Sequence, residues 1–261
     1  MIISKYYNSN DVYKRVSKSN HSFNYKYAVG NSWQLVYGDK SANPKICVYV
    51  KGVRSNELFN KYTKGDLVYY DILNFLSKKI SIPCYIMKFP SDLGGLSNST
   101  RIYINNQKST LENWLRIFHD NGIHNPDINR HKPINDKVSS GYHQWQFNNL
   151  KGFTVSDLDL VKVDSYNNPL IVWELKRSMY SLERWKPFQA DYNNFRLMSN
   201  LCNPSNVSFK IAYNHLSGKP GEERIDNASK LKIFDINFSK EKEGKHIIEK
   251  GIVNFNQFLN I

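Results

Sequence analysis

The sequence lacks the features that would place a chain in a membrane or an oxidising compartment. No apolar run approaches the roughly 20 residues that a helix needs to cross a bilayer, and the first residues lack the long apolar stretch of a signal peptide. The three cysteines, Cys47, Cys84 and Cys202, are far apart and odd in number, which argues against a disulfide framework and against a Cys-x-x-Cys zinc site. These absences predict a cytoplasmic protein with no membrane partner, whose cysteines serve in packing.

Acidic residues are also scarce relative to basic ones. The chain has 23 Asp and Glu against 36 Lys and Arg, a net charge of +13. Residues 1–105 hold 15 Lys/Arg and 6 Asp/Glu, a net charge of +9, whereas residues 106–261 hold 21 and 17, a net charge of +4. A polyanion such as DNA is the expected partner, and a solubilising surface charge is the alternative explanation.

The composition, 40% hydrophobic and 23% charged, predicts a folded globular protein. A glycine pair, Gly94-Gly95, lies in a segment rich in Ser and Asn and places a boundary near residue 106. We therefore predict a smaller basic α+β region over residues 1–105 and a second domain over residues 106–261. In the first region the patterns predict a hairpin from residues 33–37 and 46–50, a helix over 66–78 and a strand over 80–89.

Near the start of the chain, residues 5–27 interleave tyrosines and phenylalanine with basic side chains. Aromatic rings stack on bases and cations contact phosphates, so this mixture suits a nucleic-acid surface. Lys14, Arg15 and Lys18 are the candidate phosphate contacts.

The second region begins with a helix over residues 109–120, for which Ser109 and Glu112 have the spacing of a capping box. Strand-like patterns follow, and together they give the order α-β-β-β-α-β. The predicted strands cover residues 141–148, 152–164, 170–177 and 207–213, and the second helix covers residues 182–201.

Charged side chains interrupt two of these apolar strands. Because side chains alternate between the faces of a strand, Asp157 and Asp159 share one face, and Glu174 and Lys176 share one face of the next strand. A turn centred between Tyr166 and Asn167 would place Asp159 opposite Glu174. Two carboxylates held across a strand pair can share a divalent cation, and a nearby ammonium can orient the attacking water.

The pattern of Asp159, a short hairpin and Glu174-x-Lys176 resembles the PD-(D/E)xK nuclease superfamily, which includes restriction endonucleases, Holliday-junction resolvases and many repair and phage nucleases. The resemblance covers roughly residues 109–215 and implies a restriction-endonuclease-like core, a mixed sheet flanked by helices. It makes Asp159 and Glu174 the metal ligands, with Lys176 beside the water. Leu158 stands where the motif name has proline, and Asp157 remains an alternative ligand.

Several further residues are weaker candidates for this site. The resemblance suggests an acidic residue on the first core helix, for which Glu112 is the candidate, and a Gln and Tyr on the next helix, for which Gln189 and Tyr192 are the candidates. Arg177 and Lys186 are candidate phosphate contacts. A His-Asn-His nuclease site built from His119, His124 and His131 fits poorly, because these residues lie in and beside a polar loop.

The resemblance implies a Mg²⁺-dependent DNA endonuclease, with Mn²⁺ as a substitute metal, that acts at a particular sequence or structure in a restriction, phage or mobile-element setting. Double-strand cleavage by one site per chain would require a homodimer or a partner protein. Two alternatives stay open. One is a transposase-type subunit of the same superfamily that cuts at element ends, and the other is a non-catalytic DNA-binding protein.

Overall fold

The computed structural model describes residues 10–123, 141–218 and 225–261, and within them the chain is an α+β protein with two six-stranded sheets. The helices of these ranges are α1 Asp11–Lys18, α2 Lys64–Lys78, α3 Leu111–Asp120, α4 Gly141–Asn149, α5 Tyr192–Cys202 and α6 Phe255–Asn260. The strands are β1 Tyr25–Lys26, β2 Ser32–Asp39, β3 Pro44–Val53, β4 Cys84–Pro90, β5 Arg101–Ile104, β6 Gln107–Thr110, β7 Phe153–Asp157, β8 Leu160–Val163, β9 Pro169–Ser178, β10 Ser208–Ser217, β11 Ile225–Ile236 and β12 Ile247–Asn254. No helix of the described ranges is both long and apolar enough to cross a membrane.

Both sheets are mixed. The first sheet has the strand order β6-β5-β4-β3-β2-β7, in which β3 and β4 run parallel and the other neighbours run antiparallel. The second sheet has the order β1-β8-β9-β10-β11-β12, with β9 and β10 as its parallel pair. Helix α5 connects β9 to β10 and packs against strands of both sheets, as a crossover between parallel strands requires.

The two sheets exchange strands across the boundary predicted near residue 106. Strand β1, from the N-terminal region, pairs with β8 in the second sheet, with Tyr25 opposite Lys162. Strand β7, from the C-terminal region, pairs with β2 in the first sheet, with Leu35 opposite Asp157. The chain therefore passes from one sheet to the other at Asp157-Leu158-Asp159, and the sheets do not divide where the composition changes.

Three apolar clusters hold these layers together. The central cluster contains side chains from the facing sides of both sheets and from α2 and α5. Val36 of β2 and Val172 of β9 come from the two sheets, Leu73 from α2 and Phe195 from α5. A second cluster lies on the outer face of the first sheet under α3 and α4. A third lies on the outer face of the second sheet under α1 and α6. Burial of apolar area is the main favourable term in folding. Because the central cluster contains side chains from strands of both sheets, the two sheets form one folded unit.

The N-terminal predictions are largely confirmed. Strands β2 and β3 form the predicted antiparallel hairpin, and α2 begins after a capping box in which Thr63 accepts from the backbone of Asp66. The capping box predicted for α3 from Ser109 and Glu112 is wrong: Thr110 is the N-cap and its side chain accepts from the Asn113 N–H, which puts Glu112 at the second helical position. All three cysteines are free thiols.

Three C-terminal predictions are wrong. The single strand predicted over residues 152–164 is two strands, β7 and β8, which belong to different sheets. Residues 141–148 form helix α4 instead of a strand, because Tyr142, Trp145 and Gln146 recur at helical spacing and point at the first sheet, where the Tyr37 hydroxyl donates to Gln146 Oε1 at 2.9 Å. The helix predicted over 182–201 begins only at Tyr192. Pro187 explains the delay, since proline cannot donate to a helix interior and restricts the residue before it.

Candidate functional site

The crossing between the sheets fixes the position of Asp159 from three directions. The Leu158 N–H donates to the Gln34 carbonyl of β2 at 3.0 Å, which ties the crossing to the first sheet. The Asp159 carboxylate accepts the Leu175 N–H of β9 at 2.8 Å, and the Tyr13 hydroxyl of α1 donates to the Asp159 carbonyl at 2.9 Å. Asp159 is only 8% exposed. A carboxylate held on packed strands in this way is preorganised, as a catalytic ligand must be.

Strand β9 carries Glu174 and Lys176 on the side opposite to Trp173 and Leu175. Trp173 and Leu175 belong to the outer cluster of the second sheet, whereas the Lys176 ammonium lies 5.5 Å from the ring centroid of Phe195 in the central cluster. The register Leu160 opposite Trp173, continued by one residue, aligns Asp159 with Glu174 as the sequence predicted. The hairpin therefore brings the three residues of the motif to one place.

The polar contacts within the site centre on Lys176. Its Nζ lies 2.8 Å from Glu174 Oε1 and 3.8 Å from Asp191 Oδ2. Glu174 is only 9% exposed. Asp191 immediately precedes α5. In this segment the sequence indicated Gln189 and Tyr192 as candidates and did not indicate Asp191. One ammonium thus neighbours two carboxylates directly.

Burial and like charge dominate the electrostatics of the aspartates. Burial and the charge of Glu174 raise the pKa of Asp157 to about 6. Burial, Glu174 and Asp157 together raise the pKa of Asp159 well above its ordinary value. Burial acts to lower the pKa of Lys176, but the Glu174 carboxylate outweighs it and raises that pKa above its usual value. The site holds more carboxyl groups than its single ammonium can neutralise, so it favours uptake of a proton or a cation.

The donor set fits Mg²⁺ in type and only partly in arrangement. Mg²⁺ prefers oxygen ligands, retains several waters and commonly needs only one or two carboxylates, which Asp159 and Glu174 would supply, with Asp157 nearby. Across residues 10–123, 141–218 and 225–261, however, no three His, Cys, Asp or Glu side chains converge closely enough to form a ready-made metal cluster. Lys176 also holds one Glu174 oxygen. Binding would require Glu174 to turn partly away from Lys176.

Of the weaker candidates, Glu112 lies apart from the site, whereas Gln189 and Tyr192 are within two residues of Asp191. Glu112 is exposed on α3, pairs with Arg116 at 3.3 Å, and belongs to a helix that packs on the outer face of the first sheet, away from the side that Glu174 faces. Gln189 is exposed in a single 3₁₀ turn. Tyr192 packs edge-on against Phe238 at 5.8 Å and serves the core. The structure does not bring Glu112 to the site.

The two histidine candidates that the structure describes, His119 and His143, lie on helices that pack on the outer face of the first sheet, apart from the site. His143 on α4 packs edge-on against Trp33 with ring centroids 4.6 Å apart. His119 lies in the last turn of α3. His124 and His131 lie outside the described residues.

The basic candidates divide into paired and exposed residues. Arg177 faces the opposite side of β9 from Lys176 and pairs with Asp226 at 2.7 Å, and the same carboxylate accepts the Asp11 N–H at 3.0 Å. Arg15 pairs with Asp11 at 2.6 Å. Arg177 ties β9 to β11, and Asp226 joins both strands to α1 through the Asp11 N–H, whereas the Arg15–Asp11 pair lies within α1. Lys14, Lys18 and Lys186 are exposed and retain the character expected of phosphate contacts.

Replacing Arg177 with alanine is expected to lower the free energy of unfolding by about 3 kcal/mol, since Asp226 would stay buried without its cation. Urea denaturation measures the loss. Lys186→Ala, at an exposed position, is the matched control and should change stability by less than about 0.5 kcal/mol. An unchanged urea midpoint for Arg177→Ala would contradict the structural role of this residue. If the salt dependence of DNA binding were also reduced, Arg177 would be a phosphate contact.

Comparison with known proteins adds no relative: no family model matches the chain, and neither the curated proteins nor the solved structures include a match.

Proposed function

We propose that the protein is a metal-dependent DNA endonuclease with a restriction-endonuclease-like core in its second sheet. The observation that carries the proposal is the buried meeting of Asp159, Glu174 and Lys176 where β7 crosses into β8 beside β9. The antiparallel pair β8–β9, the parallel pair β9–β10 and the intervening α5 support the core. Ionisable groups with raised pKa values in one place are more common at functional sites than elsewhere.

The roles proposed for these residues are the ones that the resemblance implies. Asp159 and Glu174 would hold Mg²⁺ or Mn²⁺, with Asp157 as the alternative aspartate. The bound cation would supply neutralisation of the phosphate charge and a more acidic water. Lys176, positioned by Glu174 and Asp191, would orient that water and stabilise charge on the scissile phosphate. The net charge of +13 supports DNA as the polyanion.

A non-catalytic DNA-binding protein is the second candidate. The observation in its favour is the Lys176–Glu174 pair at 2.8 Å, which satisfies both groups without a metal. In that case the carboxylates and Lys176 would form a structural charge network. A transposase-type subunit would have the proposed site but would cut only together with a partner protein.

One assay separates these candidates. Supercoiled, linear and branched DNA incubated with Mg²⁺ or Mn²⁺ is expected to be nicked or cut by the wild-type protein and left intact by Glu174→Ala and Lys176→Ala. DNA affinity measured without divalent metal should stay within about threefold of wild type for both variants, since the roles assigned to them are chemical. The matched control is Glu112→Ala, which should cut like wild type. Equal cutting by all variants, or tight binding without any metal-dependent product, would contradict the nuclease proposal.

A further inference from the structure

The loop over residues 179–188, here the 179–188 loop, begins and ends beside the candidate site. It leaves the end of β9 three residues after Lys176 and returns three residues before Asp191. Lys176 Nζ and Asp191 Oδ2 are 3.8 Å apart, so the two ends of the loop meet at the site. Both ends of the 179–188 loop therefore lie within three residues of a site side chain.

Buried contacts hold the base of this loop rigidly. Trp185 is 3% exposed and stacks on Tyr213 of β10 with ring centroids 4.1 Å apart and an interplanar angle of 1°. The Lys232 ammonium donates to the carbonyls of Glu183 and Trp185, both at 3.1 Å. The Tyr213 hydroxyl contacts the Tyr180 carbonyl at 2.5 Å, and His215 Nδ1 lies 2.9 Å from the same oxygen. The backbone of the loop is thus fixed by the second sheet.

Large apolar side chains of the same loop nevertheless face outward. Met179, Tyr180 and Phe188 are 44%, 57% and 49% exposed, and the rings of Tyr180 and Phe188 are 6.2 Å apart in an edge-to-face arrangement. A depression of about 550 Å³ lies beside them, lined by Met179, Tyr180, Ser181, Glu183 and Arg184. Its volume falls within the range of ligand sites. A cluster of exposed apolar residues on a rigid base marks an interaction surface.

The exposed charges and aromatic rings of the 179–188 loop indicate which kind of partner it binds. Arg184 and Lys186 are exposed between the two aromatic tips, and the chain as a whole carries +13. Aromatic rings interleaved with cations suit unpaired nucleotides, whose bases offer free faces for stacking while their phosphates attract the cations. Bases of an intact duplex are already stacked on one another, so they offer a protein their edges in the grooves.

We propose that the 179–188 loop is a stacking platform for unpaired bases, and that the preferred DNA contains a single-stranded stretch next to the cleaved bond. The proposal rests on the nuclease function for its second half, because the loop places those nucleotides beside Lys176. Tyr180 and Phe188 stack on bases, and Lys186 contacts the backbone. Trp185 and Lys232 position the platform without touching the DNA.

The test measures binding without divalent metal, so that cleavage does not enter. Fluorescence anisotropy compares a labelled single strand of about 20 nucleotides with the duplex of the same sequence. Tyr180→Ala and Phe188→Ala are each expected to weaken single-strand binding by about tenfold, while Tyr180→Phe keeps the wild-type constant because the ring is retained. Duplex binding should change by less than about twofold, since the rings do not reach paired bases.

Salt dependence separates stacking from charge. Lys186→Ala should reduce the slope of log K against log salt by about 0.7 for the single strand, whereas Tyr180→Ala should shift the constant and leave the slope unchanged. The matched control is Tyr166→Ala. Tyr166 is 84% exposed in the turn at the other end of β9, and its loss should leave both substrates bound as before. Thermal unfolding followed by circular dichroism confirms that each variant is folded.

Unchanged single-strand binding by the Tyr180→Ala/Phe188→Ala double variant, or an equal loss for single strand and duplex, would overturn the proposal. A second outcome would also overturn it: the wild-type protein sediments as a dimer, and the double variant sediments as a monomer with normal DNA affinity. The surface would then be a contact between protein chains. Failure of the nuclease proposal looks different. In that case no metal-dependent product forms, yet the selective single-strand loss persists.

Discussion

Asp159→Asn is expected to have two opposite effects: loss of metal-dependent cleavage by about a thousandfold or more, and a thermal stability of the metal-free protein that exceeds wild type as pH rises above the ordinary carboxyl pKa of about 4. The first effect follows from the proposed role of Asp159 as a ligand, since a metal commonly contributes several kcal/mol of transition-state stabilisation. The second follows from burial and the neighbouring Glu174 and Asp157, which raise the pKa of Asp159 well above its ordinary value. Asparagine keeps an oxygen for the Leu175 N–H and carries no charge.

The sign of the stability effect depends on pH. A carboxyl group whose pKa is raised by folding binds its proton more tightly in the folded state, so its ionisation destabilises the fold. The cost is absent below the ordinary carboxyl pKa of about 4 and grows as pH rises towards the folded-state value. The stabilisation of Asp159→Asn over wild type should therefore be near zero at about pH 4 and largest at about pH 8.

A matched control has the opposite sign. Asp164 is a partly exposed aspartate in the turn of the same hairpin, where hydrogen bonds from the Asn168 side chain and the backbone lower its pKa. Asp164→Asn should therefore leave stability unchanged or lower it at about pH 8, and should cut DNA like wild type. Thermal unfolding at the two pH values and the cleavage assay measure both effects. A lower melting temperature for Asp159→Asn at about pH 8 would show that its charge is stabilising, as the structural network requires.

The sequence predicted the local geometry of the site because that geometry depends on short-range rules. Strand alternation and the turn at Asp164 to Pro169 set the register that aligns Asp159 with Glu174, and the structure has this register. The same alternation could not reveal that residues 152–164 divide between two sheets at Leu158. A strand has the same period of two in either sheet, and only long-range pairing with β2 distinguishes them.

The residues that the sequence missed approach the site through tertiary contacts. Tyr13 lies 146 positions from Asp159 along the chain and reaches its carbonyl because α1 packs on the outer face of the second sheet. Asp191 reaches Lys176 because the helix begins at Tyr192 instead of about residue 182. Pro187 was the available signal for that late start. A prediction that treated Pro187 as a helix stop would have placed Asp191 just before the helix and residues 179–188 in a loop.

Mg²⁺ is expected to raise the melting temperature of the wild-type protein at about pH 8 and to have little effect at about pH 5. Binding to the folded state alone stabilises by about 2.7 kcal/mol at a metal concentration of 100 times Kd, which corresponds to roughly 5 to 10 °C for a chain of this size. Protons compete with the metal, because burial and the charge of Glu174 raise the pKa of Asp157 to about 6 and raise that of Asp159 well above its ordinary value. As pH falls through about 6 Asp157 takes up its proton and Asp159 is increasingly protonated, so the metal-dependent increment should shrink towards zero.

Two variants and one salt control make this measurement decisive for the proposed metal site. Asp159→Asn and Glu174→Gln should abolish the increment at about pH 8, whereas Glu112→Gln, on the outer face of the first sheet, should retain it. NaCl at matched ionic strength corrects for screening of surface charge. A shift of equal size at both pH values, or one that survives in Glu174→Gln, would place the metal elsewhere. The absence of any shift would favour the structural charge network, in which Lys176 holds a Glu174 oxygen at 2.8 Å and no cation binds.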